Sequence, residues 1–275
     1  MPSLRYLDSS EELKGNYGYT TRLKYIGNSQ TVEMYGRLHA DLFNSDKMLI
    51  NGVDMNIKLT RTPKAFYLLA RTDDTVARVN ILDATLFITQ VELKTPLLLA
   101  HAKFLAMKRK PHYPVTQTQI KTFTASSETQ QICINNTFLG PVPDRILIVL
   151  VKNAAFVCSA STNHFHFHHY MINLVVYVNG VQHPSEPLTI DCSSTFEATR
   201  AYEALFLSTG IHHDYRALMI TLEIYTKGVY ILGFDLAPDR EADEEHIRLS
   251  RQGNVRIEAL FKKTTAGTCY MHFIC

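Results

Sequence analysis

Four of the chain's twelve histidines fall within eight residues, in the string NHFHFHHY from Asn163 to Tyr170. If that segment is extended, successive side chains alternate between faces. His164, His166 and His168 then project one way, and Phe165, Phe167 and His169 the other. Imidazoles two residues apart on one strand face have metal-binding geometry. Three such ligands with an open fourth position would hold a catalytic zinc. A third ligand and partners that orient the rings are therefore the things to look for.

The expected third ligand is not where it should be. Metalloenzymes of the cupin type follow His-x-His with a glutamate a few residues on, and here Tyr170, Met171, Ile172 and Asn173 fill that window. The next acidic residue is Glu186, beyond Pro184. The stretch is expected to be a strand or loop whose histidines are solvated, with Phe165 and Phe167 anchoring its other face in the core. No catalytic, cofactor-binding or metal-binding residue is assigned, and no cofactor is expected. Elsewhere the chemistry is thinner still. His212, His213 and Asp214 are adjacent, as loop polar groups commonly are. Asp235, Asp239, Asp243, Glu244 and Glu245 lack the alternating spacing of a calcium loop. No Gly-rich phosphate loop, HExxH or GxSxG occurs, and nothing assembles a nucleophile, a base and an orienting partner. The chain is expected not to be an enzyme.

Bulk composition excludes several other classes. The 275 residues are 46% hydrophobic and 20% charged, enough for a sizeable core. With 28 Lys and Arg against 26 Asp and Glu, no basic field draws the chain to nucleic acid. The basic trio Lys108, Arg109 and Lys110 sits where a helix ends, as the helix dipole favours. Five cysteines without CxxC spacing suggest reduced thiols. Residues 1–15 carry no apolar core of a secretory signal, and no apolar run reaches the ~18 residues of a membrane helix. The expectation is an intracellular protein, cytoplasmic or nuclear.

The elements that would position such residues are mostly strands. Val53, Met55, Ile57 and Leu59 alternate with Asp54, Asn56, Lys58 and Thr60, the period of a half-buried strand. Further strands are expected over 77–93, 145–153, 173–180, 218–225, 228–236, 253–261 and 268–274, with Asn179-Gly180 as a tight turn. Helices are few. One opens with Thr95 as its N-cap and Pro96 as its first helical residue, with an apolar stripe of Leu98, Leu99, Ala102 and Leu105. A second spans 194–210 and stops at Gly210, and a short third lies within 239–253. A polar stretch, Arg71 to Thr75, suggests a soft boundary. Many strands with helices in long connections predict a mainly β protein, an antiparallel jelly-roll sandwich.

Several strings occur in a telling order: GRLHADLFNSDKMLINGVDMNIKL from Gly36, LLLAHAKFL from Leu97, then HYPV, NHFHFHHYMINLVVYVNG, RAYEALF, GFDLAPD and RQGNVRI. As a set, from Asn16 to Phe273, this resembles the major capsid proteins of Polinton/Maverick elements and adintoviruses. These are double jelly-roll proteins often integrated in animal genomes as endogenous viral elements. In the histidine stretch the family motif is carried by Phe165, Phe167, His169 and Tyr170, while His164, His166 and His168 fall at open positions. Family members carry a complete first roll, most of which this chain lacks. The resemblance implies that residues 1–75 are remnant strands ending a first roll and 76–275 a second roll. It implies a structural role in a virion shell, with homotrimers forming pseudo-hexagonal capsomers that contact neighbouring capsomers. It implies no small-molecule substrate, no sequence-specific nucleic acid and no membrane. The rival readings are a metal-binding, cupin-like enzyme and a carbohydrate-binding β-sandwich.

Overall fold

Alternating apolar residues build the larger body of the protein. The computed structural model describes residues 23–45, 47–62, 67, 78–113, 115, 117–138, 140–157, 159, 164–167, 172–191, 195–211, 220–237, 249, 251–262 and 267–275. Among the described residues eight strands form in chain order: β1 Ile120–Ala125, β2 Gln131–Ile134, β3 Arg145–Lys152, β4 Ile172–Val178, β5 Val181–Ile190, β6 Ile231–Asp235, β7 Val255–Phe261 and β8 Cys269–Ile274. They make two four-stranded sheets, ordered β1-β8-β3-β6 and β2-β7-β4-β5. Each strand turns one side inward. Ile146, Ile148 and Leu150 of β3 and Met271 and Phe273 of β8 share a buried cluster with Leu174 and Val176 of β4 and Ile257 and Phe261 of β7. Burying such alternating faces against each other is what drives two sheets together.

The pairing is nested. β4 pairs with β5, β3 with β6, β2 with β7 and β1 with β8, all antiparallel. This is one long double-stranded ribbon folded at the β4–β5 hairpin and rolled, with the β3–β8 and β4–β7 ladders joining its turns. The strand order is that of a jelly roll, as the sequence predicts. The fold point is the expected turn: Asn179 and Gly180 both take positive φ, 51° and 82°, the two-residue hairpin geometry that asparagine and glycine favour. The Asn179 side chain also accepts from Asn254 N at 2.9 Å, tying the turn to the start of β7. A valine at Gly180 would have to adopt a left-handed backbone. Gly180→Val is expected to destabilise the sandwich by about 1–2 kcal/mol, read as a lowered urea midpoint.

Helices close one flank. α1 Thr95–Ala106 belongs to the smaller unit, whereas α2 Thr199–Ser208 packs on β6 beside α3 Leu222–Gly228. Gly210 follows α2 with φ 71°, the expected stop. The strand predicted at 218–225 is not formed in its described part. Thr221 instead caps α3, accepting from Ile224 N at 3.3 Å. Tyr225 then points inward, its ring 5.4 Å from that of Tyr202 and its hydroxyl 2.9 Å from the Ile231 carbonyl. Packing against α2 overrides the β propensity of Ile224 and Tyr225. The helix expected within 239–253 lies mostly outside the described residues.

Residues 36–60 and 77–116 form a second unit. In it, the Tyr113 hydroxyl accepts from Ile50 N and donates to the Met48 carbonyl, both at 3.2 Å. α1 forms with Pro96 in its first turn, but Lys94 rather than Thr95 stands at its N-cap. Its expected apolar stripe is exposed, Leu98, Leu99 and Leu105 included. The strands expected at 51–61 and 77–93 do not appear among the described residues. A strand needs a neighbour for its N–H and C=O groups, and no described strand pairs with these segments in either sheet.

Candidate functional site

The chain that covers the outer face of the β1-β8-β3-β6 sheet carries Phe167 and, through a bond to Ala155, His164. Val149 and Val151 of β3 point outward and are buried with Ala155 by the chain that follows. That chain leaves β3 through a helical turn, Asn153–Phe156, and returns at Phe167. There Phe167 N donates to the Gly228 carbonyl at 2.9 Å, and the side chain packs on the valines and Ile231.

His164 and Phe165 lie in a turn, and β4 begins only at Ile172. The alternation expected of an extended strand therefore fails at the first histidine. Nδ1 of His164 donates to the Ala155 carbonyl at 3.0 Å, which fixes the ring to the protein backbone. His166 is half-buried, and His168, His169 and Tyr170 lie outside the described residues. Phe167 anchors as expected, whereas Phe165 is 50% exposed. Among the described residues no three His, Cys, Asp or Glu side chains gather as metal ligands would. His212, His213, Asp214, Asp239, Asp243, Glu244 and Glu245 lie outside the described residues. Asp235 accepts from Ala237 N at 2.8 Å, a local capping bond.

Sequence reasoning passed over the residues at the centre of this face. β8 alternates Cys269, Met271 and Phe273 inward with Tyr270, His272 and Ile274 outward. Across β1, Thr122 Oγ1 stands 2.8 Å from His272 Nδ1. Phe156 stacks on Tyr270 with ring centroids 3.8 Å apart and tilts over His272 at 5.6 Å. The signal was the strict alternation of residues 269–274. Burial holds the pKa of His272 below its ordinary 6.5. The unfolded chain therefore takes up this proton at higher pH than the folded one, and stability falls as pH drops through about 6.5. The urea midpoint is expected to decline more steeply between about pH 7.5 and pH 5.5 in the native chain than in His272→Gln. Parallel curves would exclude His272 as the cause.

Chemically the face is apolar and aromatic. Ile120, 66% exposed, lies beside Ile274 on the same side as Thr122 and His272. Cys133 is exposed and Cys269 buried. Among the described residues no helix is long and apolar enough to cross a membrane.

The fold defines the class as a mainly β protein, an antiparallel jelly-roll sandwich. No family model matches the chain. It is similar to an uncharacterized protein of Caenorhabditis elegans, F54H12.2, with 24% identity over 241 residues, 86% of this chain and 57% of that protein. The chain thus spans little more than half the length of the curated relative it matches.

Proposed function

We propose that the chain is a structural subunit of a virus-like shell, related to the major capsid proteins of Polinton/Maverick elements and adintoviruses. The observation that carries this reading is where the family-like strings fall in the roll. Of these strings, INLVVYVNG forms β4 and the hairpin turn, RAYEALF lies on α2, GFD ends β6 and RQGNVRI leads into β7. These four coincide with the framework of the roll. A jelly roll of this kind acts through repeated interfaces set by symmetry, and needs no reacting group. The exposed apolar and aromatic outer face around Ile120, Phe156 and Tyr270 suits contact with another copy. The nearly balanced charge lets identical copies approach without strong repulsion. The working form is a homotrimer that meets neighbouring capsomers, located in the virion when assembled and otherwise in the cytoplasm or nucleus.

Light scattering of the purified chain, run with metal analysis, tests this against both rivals. The shell reading expects self-association, most simply trimers, without stoichiometric metal. Ile120→Glu is expected to weaken that association while leaving the circular dichroism of the sandwich unchanged. A monomer holding one metal per chain, lost in His166→Ala, would establish the cupin-like alternative instead. A monomer stabilised by a saccharide would establish the carbohydrate-binding one.

A further inference from the structure

Residues 53–59 have the pattern of a strand without its ladder. Their apolar members are exposed, from 36% at Ile57 to 74% at Leu59. No backbone hydrogen bond among the described residues reaches the segment. A half-apolar segment of this kind is a template for another strand, and its charges specify which strand.

Two copies of the segment laid antiparallel about a twofold axis through Asn56 give a self-complementary set. Val53 then faces Leu59, Met55 faces Ile57, Asp54 faces Lys58 and Asn56 faces its own copy. The four apolar contacts lie on one face and both Asp–Lys pairs on the other, as cross-strand pairing favours. Competing registers are worse. Moving the pairing by one residue sets apolar side chains opposite polar ones. Moving it by two sets Asp54 opposite Asn56 or Thr60 and loses both charge pairs. A parallel, in-register arrangement sets Asp on Asp and Lys on Lys.

We propose that residues 53–59 pair with the same residues of a second copy of this chain, antiparallel and centred on Asn56. The contact is isologous, each copy giving and receiving the same interactions. It goes beyond the shell reading and does not depend on it, because a twofold strand pair links two chains whatever their sandwiches do. A lone two-stranded pair is marginal, so the association is concentration-dependent.

Sedimentation velocity of the full chain over a concentration series tests it, with Asp54→Lys, Lys58→Asp and the double exchange. Each single reversal puts like charges opposite one another at both pairs and is expected to weaken the contact about tenfold or more. The double exchange restores it. As a second readout, in a Cys133→Ser background, Asn56→Cys is expected to cross-link to its own copy on mild oxidation. Asp54→Cys is not, because its copies lie about 14 Å apart along the strands, beyond disulfide reach. Single reversals that associate like the parent, a double exchange that stays weak, or equal cross-linking at 54 and 56 would overturn the strand pair. A parent chain monomeric at every concentration would overturn it too. A trimer indifferent to all these substitutions would overturn it while leaving the shell reading in place.

Discussion

Phe273→Ala is expected to lower the unfolding free energy by about 3–5 kcal/mol, the range for truncating a buried aromatic. Phe273 is fully buried on β8, beside Ile148 of β3 on one side and Lys121 of β1 on the other. Its ring meets that of Phe123 edge-on, with centroids 5.4 Å apart. Two losses combine. The apolar surface taken from water is forfeited, and the cavity left behind is lined by strands that hydrogen bonds hold in place. Since a domain of this size has a net stability of about 5–15 kcal/mol, the variant should unfold at much lower urea or be recovered only in aggregates. Phe273→Leu keeps most of the volume and is expected to lose less than half as much. A loss below about 1 kcal/mol in the alanine variant would mean that the sheets do not meet at this position.

Gly233→Val is the second large effect. A Cβ at Gly233 would overlap Ser208 Oγ and stand 3.2 Å from the Leu205 Cα. The first obstacle is a side chain, but the second is backbone, so α2 would have to lift from β6. Ser208 is itself buried, its hydroxyl donating to the Leu205 carbonyl at 3.0 Å. The Arg145 guanidinium also donates to the Ser208 carbonyl at 3.3 Å. Overpacking of this kind destabilises by about 1–3 kcal/mol, and more where helix and sheet must separate. Gly233→Ala is expected to do less, and Ser208→Ala to recover part of its loss, a non-additivity a double-mutant cycle measures directly. Strict additivity would show that α2 does not sit on the glycine.

The central strands were legible in the sequence because burial on the sandwich side writes itself as alternation or as an apolar run. β3, β4, β7 and β8 each came out within a residue or two of where the residues placed them. The strands that sequence reasoning missed are those with weaker demands. β2 is four residues long, and β1, at the sheet edge, buries only Ala125 fully. β5 contains Pro184 and Pro187, tolerable only because it is an edge strand. The errors ran the other way where a pattern lacked a partner. Residues 53–59 alternate as cleanly as β7, yet alternation describes the surface a strand would bury and not the strand that would bury it. The histidine stretch failed for a related reason. A His-x-His pair shares a face only if the backbone is extended, and Phe167 docking beside Gly228 leaves His164 in a turn. The outer face of β8 was hidden because His272 gains its meaning from Thr122 and Phe156, about 150 and 116 residues away in sequence.

The rolled ribbon also dictates an order of events during synthesis. The β4–β5 hairpin joins neighbours and can close as soon as both have left the ribosome. β1, near residue 120, must wait for β8, near residue 270. The flank of β3 that β8 covers stays open just as long. Until then the apolar stripe of β3 has only β6 beside it. Such high contact order makes folding slow and leaves sheet edges bare to neighbouring nascent chains. A translation pause or premature stop before residue 269 would therefore yield a sticky, open half-roll rather than a smaller stable domain.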